Sequence, residues 1–171
     1  MRDAGAFGEW LDDMRAVRLG ERDADVPCDG CTACCESSQF VHVDPDETDA
    51  LAHIPAALLF PAPGGDRVMG FDEHGRCPML VDRRCSIYEH RPRACRMFDC
   101  RVYAAAGIVP DDKPLVAVRV REWRFAEPTP ADRAAHDAVR RAVPAGGSAT
   151  ERALTAVGRG IDEGTEVLKR P

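Results

Sequence analysis

The sequence predicts an α+β fold: short β-hairpins in a cysteine-rich middle segment, one helix before that segment and two helices after it. Three observations support this class. Apolar residues recur at helical spacing near both ends, short alternating segments lie between them, and all eight cysteines fall within residues 28–100. Of the 171 residues, 44% are hydrophobic and 30% are charged, which is typical of a globular protein with a core of its own. We therefore divide the chain into residues 1–26, 27–126 and 127–171.

The segment 1–26 is predicted to be a helix and a loop that pack on the core. Four apolar side chains fall on one face of a helix over residues 5–19: Phe7, Trp10, Leu11 and Met14. Gly20 ends this helix, and a charged loop follows it up to the first cysteine.

The segment 27–126 is predicted to consist of short elements joined by turns. Before residue 82, these are a strand at 39–43, a helix from Asp44 to about His53, a loop over 54–66, and a hairpin with strands 68–71 and 77–81. A tight turn at 82–84 and a helical stretch from Pro92 to about Ala106 follow. Residues 115–125 alternate valine with alanine or arginine, which predicts a strand with one buried face.

Two helices are predicted in residues 127–171. Thr129 is placed to cap a helix that starts at Pro130 and runs to about Val143. A proline- and glycine-rich linker leads to the last helix, which starts near Thr150. Three glycines weaken this helix, and we expect its end to fray: Gly158, Gly160 and Gly164.

The charge and hydropathy of the chain limit its surroundings and partners. It has no apolar run near the ~20 residues of a membrane helix and no secretory signal, so we expect a cytoplasmic protein without membrane contact. A net charge of −6 argues against a general nucleic-acid binder. Residues 76–101 nevertheless hold seven arginines against three acidic residues. These guanidinium groups could stabilise thiolates, form a solvated face, or bind phosphate.

The first four cysteines, Cys28, Cys31, Cys34 and Cys35, have the spacing C-x2-C-x2-C-C. In a reducing compartment, such a dense set indicates metal ligation or redox chemistry rather than disulfides. Two intervening residues let a tight turn bring two sulfurs to one metal. The first three also match the start of a bacterial [4Fe–4S] motif. We expect the adjacent side chains of Cys34 and Cys35 to diverge, so that one is a spare thiol or the two serve different metals.

The second set is Cys77, Cys85, Cys95 and Cys100, and its spacing fits no common zinc-finger pattern. Eight thiolates allow two four-coordinate centres, or one centre plus buried or redox-active cysteines. Neither set of cysteines is suited to completing the coordination shell of a metal alone. We therefore predict that Cys77, and at least one of Cys85 and Cys95, lies within metal-sharing distance of Cys28–Cys35.

Together these blocks resemble the CxxCxxCC (YkgJ-like) cysteine-cluster family over about residues 28–100. The further blocks that carry the resemblance are Gly75-Arg76-Cys77-Pro78-Met79-Leu80, Arg84-Cys85-Ser86-Ile87-Tyr88-Glu89 and Arg91-Pro92-Arg93-Ala94-Cys95-Arg96-Met97-Phe98. The resemblance implies zinc or iron at the first seven cysteines, and the spacing of the first three leaves an iron–sulfur cluster as one form of that iron. Cys100 lies just past the family's usual pattern and is included as an eighth candidate.

Side chains near the second set are candidates to support the metal ligands. Tyr88, Arg91 and Arg96 are predicted to surround the thiolates, with the arginines donating hydrogen bonds to them. His90, between Cys85 and Cys95, is the best placed of the five histidines to replace a thiolate.

The leading functional prediction is a metal-binding protein whose partners are metal ions. One alternative is a metal-dependent redox or radical enzyme acting on a small molecule or peptide, which would keep an open coordination position. The other is an interaction module in which a closed zinc site is purely structural. No sequence motif of a serine hydrolase, nucleotide-binding loop or zinc protease is present.

Overall fold

The computed structural model describes residues 1–28 and 30–168. Its helices and short strands confirm the α+β class. The chain forms two compact units: a helical unit, made of Met1–Ala24 and the chain from Asp99 onward, and a cysteine unit, Asp25–Phe98. Residues 99–126, which we had grouped with the cysteines, therefore cluster with the two terminal segments. Within the described residues, no helix combines the length and apolar character needed to cross a membrane.

The secondary-structure elements are numbered in chain order. The helices are α1 (Phe7–Arg18), α2 (Thr48–His53), α3 (Arg93–Arg96), α4 (Arg101–Ala106), α5 (Pro114–Glu122), α6 (Pro130–Arg141) and α7 (Ala149–Leu168). The strands are β1 (Arg2–Ala6), β2 (Val41–Val43), β3 (Leu59–Pro61), β4 (Arg67–Met69), β5 (Leu80–Val81), β6 (Arg84–Cys85) and β7 (Trp123–Ala126). Short 3-10 helices cover Ala56–Leu58, Pro63–Gly65 and Tyr88–His90.

In the helical unit, α1, α4, α6 and α7 pack around a shared apolar core. The predicted N-terminal helix is confirmed, and its apolar stripe is buried, with Phe7 fully enclosed. The predicted cap of α6 is also confirmed, because the side chains of Thr129 and Asp132 form a reciprocal capping box. Asp132 accepts a further bond from the backbone N–H of Gly8, 3.0 Å away, which fastens α6 to α1.

The predicted strand over residues 115–125 is wrong for most of its length. Pro114 begins helix α5, and only the last three residues of the region, 123–125, belong to a strand, β7, which pairs in parallel with β1. The buried residues of α5 are Val116, Ala117 and Val120, a helical spacing, whereas Val118 is 56% exposed. The alternating valines are therefore compatible with a helix, and Pro114 at its first position is a start signal.

The cysteine unit contains a three-stranded antiparallel sheet in the order β2-β4-β3. The predicted hairpin between 68–71 and 77–81 is wrong in its pairing, because β4 bonds to β2 and β3 instead. Its turn does form, with the N–H of Asp72 bonded to the carbonyl of Arg76 at 2.8 Å. The residues that fill the core of this unit are Val43, Ala50, Ile54, Met69, Met79 and Ile87. Cys77 and Cys85 pack against that core.

The predicted turn at 82–84 is confirmed as a two-residue hairpin loop between β5 and β6. Asp82 and Arg83 both have positive φ angles, of 47° and 61°, as a type I′ turn requires. This hairpin pairs Leu80 with Cys85 and so fixes the backbone position of Cys85.

Candidate metal centre

The first cysteine block folds as a series of tight turns. The N–H of Cys31 donates to the carbonyl of Cys28 at 2.9 Å, and Gly30 between them has a φ of +75°. A second turn closes where the N–H of Glu36 donates to the carbonyl of Thr32 at 3.0 Å. The block thus has the compact backbone that the C-x2-C spacing predicts.

The prediction that the Cys34 and Cys35 side chains diverge is wrong. Their sulfur atoms lie 3.9 Å apart. In a tetrahedral zinc site with Zn–S bonds of about 2.3 Å, two sulfurs are separated by about 3.8 Å. Local turn geometry has therefore overcome the tendency of adjacent side chains to point apart, and the pair has the spacing of two ligands on one ion.

The two cysteine sets meet through a short stretch of paired backbone. The N–H of Cys77 donates to the carbonyl of Cys35 at 2.7 Å, and the N–H of Ser38 donates to the carbonyl of Gly75 at 2.9 Å. These two bonds place the backbone segment 75–77 antiparallel to segment 35–38, at the end of the first cysteine block. The backbone of Cys77 is thus paired with that of Cys35, whereas a metal-sharing distance between the sulfurs of the two sets stays a prediction.

Cys85 and Cys95 lie in the same unit as Cys77 and the first cysteine block, but on separate secondary-structure elements. The N–H of Leu80 donates to the carbonyl of Cys77 at 3.0 Å, so the hairpin that carries Cys85 starts directly from Cys77. Cys95 lies on α3, which is anchored at its first residue, Arg93.

The anchor of α3 is a group of acidic residues just before α2. The Arg93 guanidinium lies 2.7 Å from the Asp44 carboxylate and 3.1 Å from that of Asp46. The buried carboxylate of Glu47 accepts hydrogen bonds from the backbone N–H groups of Arg93 and Asp44. Nothing in the sequence indicated the bond from Glu47 to α3, because a contact across 46 residues leaves no local signal.

The thiols of the cysteine unit affect one another's protonation. A hydrogen bond from the Cys35 thiol lowers the pKa of Cys34 to about 7, and correspondingly raises the pKa of Cys35. Burial raises the pKa of Cys77, and it raises the pKa of Cys95 to about 12, with the charges of neighbouring cysteines acting in the same direction. A set of thiols that repel one another as anions is one that a bound cation would stabilise.

The predicted supporting residues contact one another: Arg91 meets both Tyr88 and Arg96. The Arg91 guanidinium stacks on the Tyr88 ring, 3.6 Å from its centroid, and its positive charge contributes to lowering the pKa of Cys34. Nε of Arg91 is buried without a hydrogen-bond partner in the part of the chain that the structure describes. Arg96 donates from Nε to the carbonyl of Arg91 at 3.0 Å, which holds the loop that carries Arg91. A buried donor without an acceptor fits a nearby metal thiolate.

The cysteine sulfurs do not converge on a single point. No three of them in the described residues lie within 4.8 Å of one another. None of the eight cysteines, all of which lie in the described residues, is joined in a disulfide. The donor set is therefore soft sulfur, which suits zinc, copper(I) and iron.

Cys100 belongs to the helical unit. Its sulfur accepts a hydrogen bond from the Trp123 indole at 3.2 Å, and the neighbouring Asp99 carboxylate accepts one from the Trp10 indole at 2.9 Å. Arg101 also binds Asp99, at 2.8 Å. This polar cluster gives Cys100 structural partners within its own unit.

The fold and the thiol cluster thus define a protein with a thiol-rich metal-binding unit. A family model described as "CxxCxxCC: Putative zinc- or iron-chelating domain" matches residues 27–113, about half of the chain. The chain belongs to this CxxCxxCC family, which confirms the resemblance seen in its cysteine blocks. Neither a curated protein nor a solved structure gives a match.

Proposed function

We propose that this protein chelates a zinc or iron ion through the clustered thiolates of its cysteine unit. The observation that carries the proposal is the adjacency of the Cys34 and Cys35 sulfurs, 3.9 Å apart, beside the backbone bond from Cys77 to Cys35. The seven proposed ligand candidates are Cys28, Cys31, Cys34, Cys35, Cys77, Cys85 and Cys95. Membership of the CxxCxxCC family supports the same chemistry.

A mononuclear thiolate centre fits this proposal better than a [4Fe–4S] cluster. A [4Fe–4S] cluster takes four cysteines for four irons, so it separates its protein sulfurs. A single tetrahedral zinc or iron ion places two sulfurs on one edge of about 3.8 Å, as the Cys34–Cys35 pair does. We further propose that Arg91 offsets the negative charge of such a centre through its unpartnered Nε.

A cytoplasmic location is part of the same proposal. Thiolate ligands persist where glutathione and thioredoxin keep cysteines reduced, and disulfides would remove the ligands elsewhere. The pKa of Cys34, lowered to about 7, leaves a large fraction of this thiol ionised at neutral pH, and binding can begin there.

The test is the metal content of protein purified without oxygen, together with its absorption spectrum. We expect Cys31→Ser and Cys35→Ser to lose most of the metal and to melt at lower temperature, because a ligand's loss removes both metal and the structure it organises. Cys100→Ser is the comparison variant, since its sulfur already has Trp123 as a partner, and it should keep the metal.

Three results bear on this proposal. Full metal retention in both Cys31→Ser and Cys35→Ser would contradict the thiolate site. Colourless protein with stoichiometric zinc supports a mononuclear centre. Brown protein containing acid-labile sulfide would replace that centre with an iron–sulfur cluster.

A further inference from the structure

A second group of metal-ligating side chains lies in the cysteine unit and contains no cysteine. Asp49, His53 and His90 each offer a ligand atom, and these three atoms lie within 4.8 Å of one another. Asp49 and His53 are one turn apart on α2, and His90 ends the 3-10 helix Tyr88–His90. Two separate elements therefore converge on one surface position.

The side chains of this group are ordered against one another. The two imidazole rings stack with centroids 3.5 Å apart and an interplanar angle of 3°. Nδ1 of His90 lies 2.9 Å from one oxygen of the Asp49 carboxylate, and Nδ1 of His53 lies 3.6 Å from the other. Nδ1 of His53 lies closer still, at 2.8 Å, to the backbone carbonyl of Asp49, so each Nδ1 has an oxygen partner. A metal-bound histidine commonly donates one ring N–H to a carbonyl or carboxylate and binds the ion through its other nitrogen, which here is Nε2.

The charge of the Asp49 carboxylate favours a bound cation. The hydrogen bond from His90 holds the pKa of the Asp49 carboxyl below its usual range, with the charges of His90, His53 and Arg96 adding to the effect. A neutral imidazole has one nitrogen lone pair that can bind a metal ion, and this group brings two such rings to one position.

The donor set also fits the coordination chemistry of divalent transition metals. Two imidazole nitrogens and one carboxylate oxygen suit zinc, iron(II), cobalt and nickel. Tetrahedral zinc with Zn–N bonds of about 2.0–2.1 Å places two nitrogens about 3.4 Å apart. The rings need to tilt to aim both lone pairs at one ion, and histidine χ2 is a soft torsion. The side chains of Asp49, His53 and His90 are 67%, 41% and 39% exposed, which leaves room for that tilt.

We propose that Asp49, His53 and His90 form a second site, which takes a divalent transition-metal ion with nitrogen and oxygen ligands and keeps positions open to water. This site goes beyond the thiolate chelation proposed above and does not depend on it. The chain would then hold two sites of different chemistry, a soft thiolate site and a surface site that exchanges its ion more readily. His90 lies midway between Cys85 and Cys95, so one stretch of chain serves both.

The experiment is a titration of the full-length protein with Co²⁺, carrying whatever metal it retains on purification. The variant is the double substitution His53→Asn and His90→Asn, and the matched control is His42→Asn with His74→Asn, two exposed histidines outside the group. We expect wild type and the control to bind one more Co²⁺ per chain than the variant in equilibrium dialysis. Asp49→Asn should weaken that ion at least tenfold. Circular dichroism checks that all the proteins keep their fold.

Absorption separates this site from the thiolate site. Cobalt on nitrogen and oxygen ligands gives weak ligand-field bands, whereas cobalt on thiolates adds intense sulfur-to-metal charge-transfer bands. Equal Co²⁺ stoichiometry in wild type and the folded double variant would overturn the second site. If none of the proteins showed metal–thiolate absorption, that result would count against the thiolate centre only. The difference in bound Co²⁺ between wild type and the double variant would still test the histidine site.

Discussion

At the scale of single residues, His136 is the buried titratable group of the helical unit with the clearest consequence for stability. Its ring stacks on Phe7 at a centroid distance of 4.1 Å and an angle of 15°. Its Nδ1 lies 2.7 Å from an oxygen of Glu127 and donates a hydrogen bond to it. Burial lowers the pKa of His136, and the bond to Glu127 opposes that shift only in part.

This pKa shift predicts that acid destabilises the helical unit. The folded state favours neutral His136, whereas the unfolded chain takes up a proton below a pH of about 6.5. The contribution of His136 to the free energy of unfolding is therefore constant above that pH. Below it, this contribution becomes increasingly unfavourable as the pH falls toward the lower pKa of the folded state. Urea unfolding at pH 7.5 and pH 5.5 should show a smaller loss of stability in His136→Gln than in wild type. The exposed-histidine variant His42→Gln should follow wild type, and equal losses in all three proteins would refute the role of His136.

The same scale shows where sequence reasoning succeeds and where it fails at the metal centre. The turn around Gly30 and the hairpin loop at Asp82 and Arg83 are local, so their residues predict them. The 3.9 Å approach of Cys34 and Cys35 depends on torsions within the turn, which residue types alone do not specify. That Cys77 lies near the first block could be expected, because neither cysteine set is suited to completing a metal site alone. Which residue of the first block pairs with Cys77 depends on contacts distant in sequence.

At the scale of elements, helix α7 shows why glycines that weaken a helix can be required by its packing. A Cβ atom added at Gly160 would lie 2.4 Å from the Val139 Cγ2 atom of α6, and Val139 is fully buried. A Cβ added at Gly158 would instead meet only the end of the Arg18 side chain, 2.8 Å from Nη1. One glycine permits a close helix–helix contact, whereas the other faces a side chain that can move.

These two glycines predict opposite effects of the same substitution. Alanine gains about 1 kcal/mol of helix propensity over glycine, so Gly158→Ala should be neutral or stabilising. Gly160→Ala should be destabilising, because overpacking a core contact costs roughly 1–3 kcal/mol. Chemical denaturation of both variants measures the difference, and a more stable Gly160→Ala protein would show that α6 and α7 are not in close contact there.

Element types were more predictable than their pairing partners. The helix stripe of α1 and the capping box of α6 follow from residues within a few positions of each other. Strand β4, by contrast, has partners at 41–43 and 59–61, of which the second fell in a segment predicted as loop. Helix α5 was mistaken for a strand because alternating valines satisfy both periodicities over a short window.

At the scale of the whole molecule, the two units differ in how they are stabilised. The cysteine unit has a small core of valine, alanine, isoleucine and methionine side chains, and domains of such size often need a metal or disulfides. The helical unit buries larger side chains, among them Phe7, Trp10, Tyr103 and Trp123. We therefore expect metal to matter for the stability of the first and not of the second.

Removal of the metal by a chelator under reducing conditions should unfold the cysteine unit selectively. Both tryptophans of the chain, Trp10 and Trp123, lie in the helical unit, so their fluorescence reports on that unit. We expect their thermal transition to be nearly unchanged by the chelator, while the cysteines of 28–95 become rapidly alkylated and that segment becomes sensitive to protease. Loss of the tryptophan transition together with the metal would show that the two units unfold as one.

The helical unit is assembled from two stretches of chain, Met1–Ala24 and the chain from Asp99 onward, with the whole cysteine unit between them. During synthesis on the ribosome, α1 emerges before the cysteine unit but must wait for α4, α6 and α7 before it can bury its aromatic face. The cysteine unit is complete before those helices exist. Biosynthesis should therefore proceed from the middle outward, with the thiol-rich unit folding first and the helical unit closing last. When metal is scarce, the cysteine unit of a newly made chain would then fail to fold at a stage when α1 is still exposed to chaperones and proteases.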